Sequence, residues 1–401
     1  MTDHLPFGKR VRFYRERRGL HQWQLGELLN RSEDWVYRVE AGRIPVNSVK
    51  MLADLAEALR VHVEDLQGRP ALLGDQKDDR ADVPAIRAAL MQSRLLAGAL
   101  YDDREPLRLE RLAVEVDEAW SLYQSSQYAE LASRLPTLLA DARLVTHEHS
   151  TGNSRIRALR LFALTCHVTA TLLRKLGETN LAWVAADQGD IAAGESHDPA
   201  VILALRRCVA HVQLGAGMAA EAMDVTLRAA DGLPRGWWEA SPESLSLYGT
   251  LHLNGAVAAA RLRDRSSADD MMAKATRAAD RLGADANEMW TAFGPTNVEI
   301  HRLALALEFE DLQSAVDIAP GLRPGRTVPV ERRARARLDV ARAYAEVGRT
   351  NDAADHLKRA YQRAPEQMRA HEFARDLARR LHKRSKRRDV RELAVNLGAL
   401  R

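Results

Sequence analysis

Apolar residues along this chain return every three or four positions, and no valine–isoleucine alternation runs long enough for a strand. The pattern predicts an all-α fold. Pro6 to Arg18 reads as a basic helix closed by Gly19. Residues 22–29 (QWQLGELL) read as a short second helix with Leu25, Leu28 and Leu29 inward and Gly26 at a close crossing. Asn30 fills the turn, since asparagine tolerates the left-handed conformation that a tight helix-to-helix turn needs. Ser32 then caps a third helix, Val36 and Val39 give its buried stripe, and Gly42 ends it. Ser48 opens a fourth helix, and Leu52, Leu55, Leu59, Val61 and Leu66 complete a small core. A five-helix domain is therefore expected over residues 1–70.

Gly, Pro and a charge cluster mark residues 67–83 (QGRPALLGDQKDDRADV) as a boundary, with a linker at 71–83. A helix from Pro84 to about Ala99 follows, with Ile86, Leu90 and Leu95 on one face. Beyond it the chain repeats itself. In 334–367, the residues Val340, Ala341, Tyr344, Gly348, Ala353, Leu357, Ala360 and Pro365 fall on the 34-residue tetratricopeptide signature. Small residues let two antiparallel helices approach, while Tyr344 and Leu357 fill the gap between pairs. Weaker copies upstream give six helix pairs over roughly 112–367, then a basic capping helix and a short terminal helix. The expected second domain, 84–401, is a tetratricopeptide-like α-solenoid.

Composition narrows the class. The 401 residues are 46% hydrophobic and 28% charged, with no run of eighteen apolar residues and no apolar signal core in MTDHLPFGKR. A cytoplasmic protein without membrane contact is expected. Cys166 and Cys208 make no metal or redox spacing. The net charge of +4 is concentrated in the first helix and in 379–391 (RRLHKRSKRRDVR). Arginine outnumbers lysine 51 to 8, which codon bias in a GC-rich genome accounts for without function. No glycine-rich phosphate loop, nucleophile elbow or histidine–glutamate metal motif occurs, so no enzyme, cofactor or metal is expected. THEHS (146–150) lacks zinc-ligand spacing and reads as a polar loop.

The N-terminal order of Gln22, Leu25-Gly26, Asn30-Arg31, Ser32, Val36, Val39 and Glu40-Ala41-Gly42 resembles the lambda-repressor-like (XRE) helix-turn-helix family. Asn30 stands where that family usually has glycine, and Arg31 where it has an apolar turn residue. The resemblance implies that Ser32, Glu33, Asp34, Tyr37 and Arg38 face the major groove of double-stranded DNA, with Gln22, Arg43 and Ser48 on phosphates. Two acids in the first turn of a groove helix have two readings. They stabilise the positive helix end, at about 0.3–1 kcal/mol each, or one accepts a hydrogen bond from cytosine N4. Either way the site should be selective and dependent on a dimer, because negative charge weakens sequence-independent attraction.

A tetratricopeptide array leaves a concave surface lined by first helices. The repeat frame puts Trp120, Tyr123, His167, Thr171, Arg174, Arg207, His211, Arg335 and Arg342 on that surface, with Asn254 and Asn297 on or beside it. Such a set suits something anionic or peptide-like. FGPTNVE (293–299) reads as a capping box, Thr296 with Glu299, that fixes Asn297. In GWWEASPES (236–244) at least one tryptophan should be a partly exposed packing or lid residue. The two-domain order resembles bacterial transcription regulators that sense intracellular signals, among them the Gram-positive peptide-pheromone receptors. That resemblance implies a homodimer on a palindromic operator, responsive to a peptide or small-molecule effector. The competing expectation is an array that binds a protein partner or only dimerises.

Overall fold

The computed structural model describes residues 6–46, 49–61, 63–67, 82–91, 104–233, 236–385 and 387–400. Five helices build the N-terminal domain: α1 (Phe7–Arg17), α2 (Gln22–Leu28), α3 (Glu33–Glu40), α4 (Val49–Leu59) and α5 (Val63–Gln67). Val11, Leu25, Val36, Val39, Leu52, Leu55 and Leu66 close its core, each at most 2% exposed. Asn30 adopts φ 52°, and the Ser32 hydroxyl accepts from the Trp35 amide at 3.1 Å. Two expectations need correction. Leu28 points to solvent, because the helix ends there and Leu29 takes the inward place. Gly26 is required by its own turn and not by a crossing helix: a Cβ there would stand 2.7 Å from the Arg31 carbonyl oxygen.

The helix expected from Pro84 is α6 (Asp82–Met91), which starts inside the expected linker; the remainder of its expected span and most of 71–83 lie outside the described residues. Six antiparallel pairs follow: α7 (Leu109–Gln124) with α8 (Tyr128–Glu148), α9 (Gly152–Lys175) with α10 (Thr179–Ser196), α11 (Pro199–Gly215) with α12 (Ala219–Asp231). The series continues with α13 (Pro242–Arg261) and α14 (Arg265–Leu282), α15 (Pro295–Glu308) and α16 (Leu312–Ile318), α17 (Val330–Glu346) and α18 (Thr350–Arg363). Three short helices end the chain, α19 (Pro365–Ala370), α20 (Glu372–Arg384) and α21 (Arg388–Asn396), one more than expected. The fold is all-α among the described residues, with one isolated bridge between Ala286 and Phe293.

Alanine at the crossings explains the tight stacking. Ala341 and Ala353 are fully buried, as are Ala182, Ala210 and Ala256. Helix α9 is long and apolar enough to cross a membrane, but 72% of that stretch is buried and serves as the core of the array. THEHS is the C-terminal end of α8 and its cap, not a loop, because the helix runs to Glu148 and His149 caps it.

The array does not stay open. Its last helices return to its first pair, where the Ser126 hydroxyl donates to Gln367 Oε1 at 3.0 Å and the Ala129 amide to Glu366 Oε2 at 2.8 Å. Lys175 at the end of α9 bonds Glu331 at the start of α17. From the other side, the loop 283–294 reaches across to α7. Asn287 and Gln124 exchange two amide hydrogen bonds, at 2.8 and 2.9 Å, and Trp290 stacks on Trp120 with centroids 5.0 Å apart. That loop holds Met289, Trp290 and Ala292 at positive φ, a conformation that side-chain-bearing residues adopt only when their surroundings impose it. The six pairs form a ring.

Candidate functional site

The outer face of α3 is exposed. Asp34 accepts from Arg38 Nε at 2.7 Å, one helical turn on, so its charge is partly neutralised. Glu33 has no ion-pair partner among the described residues. Tyr37 is exposed, with the Arg43 guanidinium 5.2 Å from its ring. Gln22 is turned inward: its amide donates to Glu40 Oε2 at 2.7 Å, while Arg15 binds the same carboxylate through Nε at 2.5 Å and Nη2 at 3.0 Å. A buried carboxylate needs those donors, which removes Gln22 and Arg15 from the supply of free phosphate contacts. Ser48 lies outside the described residues.

The second site is a cavity of about 670 Å³ enclosed by the ring and roofed by the N-terminal domain. Of the residues expected on the concave face, Trp120, Tyr123, Thr171, Arg174, Arg207, His211, Asn254, Arg335 and Arg342 all line it. His167 and Asn297 do not. His167 sits behind the wall, edge-on to Trp120 at 4.7 Å and 3.4 Å from Arg207. Asn297 is buried in the first turn of α15, where its carbonyl meets His301 Nδ1 at 2.9 Å. The capping box that was to fix Asn297 does not form. Gly294 stands at the N-cap, the Thr296 amide donates to Asp285 from the preceding loop, and Glu299 pairs with Arg302. Trp237 and Trp238 are both half-buried, the latter stacked on Tyr248.

Roof and floor are joined by named contacts. Arg10 on α1 donates to Glu372 Oε1 on α20 at 2.7 Å, and Arg31 lies 3.8 Å from Glu310. Val39 to Gly42 and Ile44 to Val46, the end of α3 and the segment after it, face the cavity. Residues that the sequence did not single out also line it, among them Lys175, Arg261, Trp290, His301, Glu331, Arg332 and His371. A signal for some of them was present. The run VERRARARLDVAR in α17 puts arginines on inward positions, which codon usage alone does not explain.

Charge inside the cavity is unbalanced. Thirteen lysine and arginine side chains line it against six carboxylates. Burial alone would lift the Glu331 carboxyl, but Lys175 and Arg332 against it hold it down at about 2. Asp339 takes Arg335 at 2.9 Å and Arg342 at 3.3 Å. Arg207 is different. Burial pushes its guanidinium down to about 10, and among the described residues no carboxylate pairs with it. Arg174 likewise makes no ion pair among them, although its charge helps to hold Glu331 down. His211 beside them is kept neutral by burial, and Arg174, Arg207 and Arg332 lower its pKa further. Such a surface attracts anions and has hydrogen-bond donors ready for them. Among the described residues no group of histidine, cysteine, aspartate and glutamate is placed to hold a metal ion.

Residues 6–67 match the family described as "Helix-turn-helix domain". No curated protein matches the chain. Among solved structures, the chain is similar to Bacillus thuringiensis PlcR in complex with the peptide PapR7 and DNA. The identity is 14%, over 69% of this chain and 95% of that one, with a TM-score of 0.30. It is also similar to a Rap protein complexed with Competence and Sporulation Factor, at 13% identity over 86% of this chain and 99% of that one, with a TM-score of 0.44. The chain carries a helix-turn-helix domain at its N-terminus, followed by a tetratricopeptide-like domain of stacked helix pairs.

Proposed function

We propose that the protein is a sequence-specific DNA-binding transcription regulator, acting as a homodimer on a palindromic operator, whose array holds an intracellular effector in the cavity. The observation that carries this reading is the shared wall. Residues on both sides of Arg43 line the cavity, while the Arg43 guanidinium lies outside over Tyr37. An occupant therefore bears on the segment that presents a phosphate contact. An effector shifts DNA affinity only through unequal binding to two arrangements, and a wall belonging to the DNA-reading domain supplies that inequality directly. Arg174, Arg207 and Arg342 are the proposed anion contacts, and Asn254, whose amide donates to the Arg207 carbonyl at 3.1 Å, steadies the second of them. On DNA, Ser32, Glu33, Tyr37 and Arg38 are the proposed base-facing set. With Asp34 tied to Arg38, the cytosine contact falls to Glu33.

Genome-wide occupancy of the tagged protein should reveal discrete operators. On one of these, Arg43→Ala should weaken all sequences about equally and flatten the salt dependence of binding, because a phosphate contact is lost. A change in which sequence is preferred would instead mean that Arg43 reads a base and that α3 is misplaced in the groove. Absence of any discrete site would remove the regulator reading.

A further inference from the structure

The anion-binding reading of the cavity can be taken one step further, and the step rests on that reading. We infer that the occupant is a compact organic polyanion without a compensating cation, of the phosphate-ester or polycarboxylate class, held by Arg174 and Arg207.

Three observations carry this. The first is the pairing ledger of the cavity. All six of its carboxylates already have a cation: Glu40 has Arg15, Glu308 has Arg261 at 3.7 Å, Glu331 has Lys175, Asp339 has Arg335, Glu372 has Arg10, and Asp376 has Arg379 at 3.1 Å. A zwitterionic guest, such as a peptide with a free amino terminus, would have to compete with those cations for a carboxylate, although the buried Glu308 Oε2 and Glu372 Oε2 accept no hydrogen bond among the described residues. The second is the unpaired pair itself. Arg207 is 6% exposed, and among the described residues neither Arg207 nor Arg174, both open on the cavity beside a neutral His211, makes an ion pair with a carboxylate. Burying a guanidinium without a counter-ion is unfavourable unless a ligand supplies one. The planar forks of two arginines suit the oxygens of phosphate or carboxylate groups. The third is enclosure. A ring closed at Ser126–Gln367 and at Trp120–Trp290, roofed in part by α1 and the segment after α3, offers a recessed chamber that still opens to solvent. Its volume of about 670 Å³ lies within the usual range of small-molecule sites.

The test uses the full-length protein, its thermal unfolding midpoint and the fluorescence of Trp120 and Trp290, with inorganic pyrophosphate, citrate and hexaglycine as probes. Pyrophosphate or citrate should raise the midpoint in a concentration-dependent way and change the fluorescence, while hexaglycine does neither. The larger of the first two responses separates a phosphate from a polycarboxylate ligand. Arg207→Met should raise the midpoint of the ligand-free protein and weaken the effective anion by roughly tenfold or more, the loss of one charge-assisted contact. Arg174→Gln, at a half-buried position, should weaken the anion similarly and keeps the test readable if the first variant folds poorly. No response to either anion overturns the inference. So does Arg207→Met if it lowers the ligand-free midpoint and leaves the anion response intact. A response to hexaglycine alone overturns it too, while leaving an effector chamber in place. Binding of the anions by a protein that occupies no genomic site would sink the regulator reading and not this one.

Discussion

Two arginines lie at almost the same depth in different domains, Arg15 at 8% exposure and Arg207 at 6%. Arg15 is fully satisfied: Glu40 takes Nε and Nη2, and the Leu20 carbonyl takes Nη1 at 2.7 Å. Among the described residues the Arg207 side chain has one hydrogen-bonding contact, to a neutral histidine at 3.4 Å. Equal burial thus accompanies opposite bookkeeping of charge. The first arginine fastens α1 to the end of α3 and gives the small domain one geometry. The second carries a cost that the fold does not offset from within, which is the mark of a group kept for something that arrives from outside.

The contrast is broken most severely at Glu40. Glu40→Ala strands the buried Arg15 cation and the Gln22 amide, so the N-terminal domain should lose about 3–5 kcal/mol. Urea denaturation followed by far-UV circular dichroism would read this, and operator binding should vanish with it. Loss of less than about 1 kcal/mol would mean that Arg15 is no better held than Arg207.

A smaller effect belongs to Glu372, the carboxylate joining the two domains through Arg10. Burial lifts its pKa to about 7 in spite of Arg10. A carboxyl raised in the folded state binds more protons there than in the unfolded chain. Its contribution is therefore fully present below the ordinary value of 4.5 and is lost as pH rises through about 7. The buried histidines His167, His211 and His371 run the other way, since burial lowers them and acid must charge them. The difference between wild type and Glu372→Gln isolates the carboxyl. That difference should change by at most about 3 kcal/mol across the window, and by less because the side chain is still 16% exposed. A flat difference between pH 4.5 and 7 would place Glu372 with Glu331, whose partners keep it ionised.

The smallest effect lies on the surface of α3. The Asp34–Arg38 pair is half exposed, so Asp34→Asn should change stability by about 0.5 kcal/mol or less. Its effect on DNA should appear as higher sequence-independent affinity in a salt titration, with base preference unchanged. A relaxed preference at one base pair per half-site would move the cytosine contact from Glu33 to Asp34.

How much of this could be read from the residues depends on the range of the constraint. Asn30, Ser32 and Gly42 are local: each satisfies a backbone requirement within a few residues, and the structure has each where its chemistry demands. The alanines of 334–367 are nearly as local, since a close crossing needs a small residue on both helices. By contrast, Thr296 had a good capping pattern and lost to Asp285, eleven residues upstream, because the loop 283–294 is held by Gln124 on the far side of the ring. The concave face was legible as a set because the repeat frame fixes which positions of a first helix look inward. The pairing of Arg335 and Arg342 with Asp339 is local too, one turn along α17. The lack of an ion-paired carboxylate at Arg174 and Arg207 was not legible, since Glu331 and Asp339 lie on a helix more than a hundred residues further on. His167 and Asn297 miss the cavity for the same reason. The frame gives a direction, and the neighbouring helices decide how far the side chain reaches.

Closure of the ring also governs how the molecule must assemble. In an open solenoid each unit rests on its neighbours alone, so stability accumulates unit by unit and folding spreads from any point. Here Ser126 meets Gln367 across 241 residues of chain and Gln124 meets Trp290 across 166. Those contacts cannot form until everything between them is in place, so the entropy of closing a very long loop falls on the last step. Nascent chains should therefore pass through an unclosed intermediate with the Trp120 face and the interior arginines open to water, and completion should wait for α19 to leave the ribosome. A stop codon before α19 would leave every preceding helix pair encoded and still deny the molecule its interior.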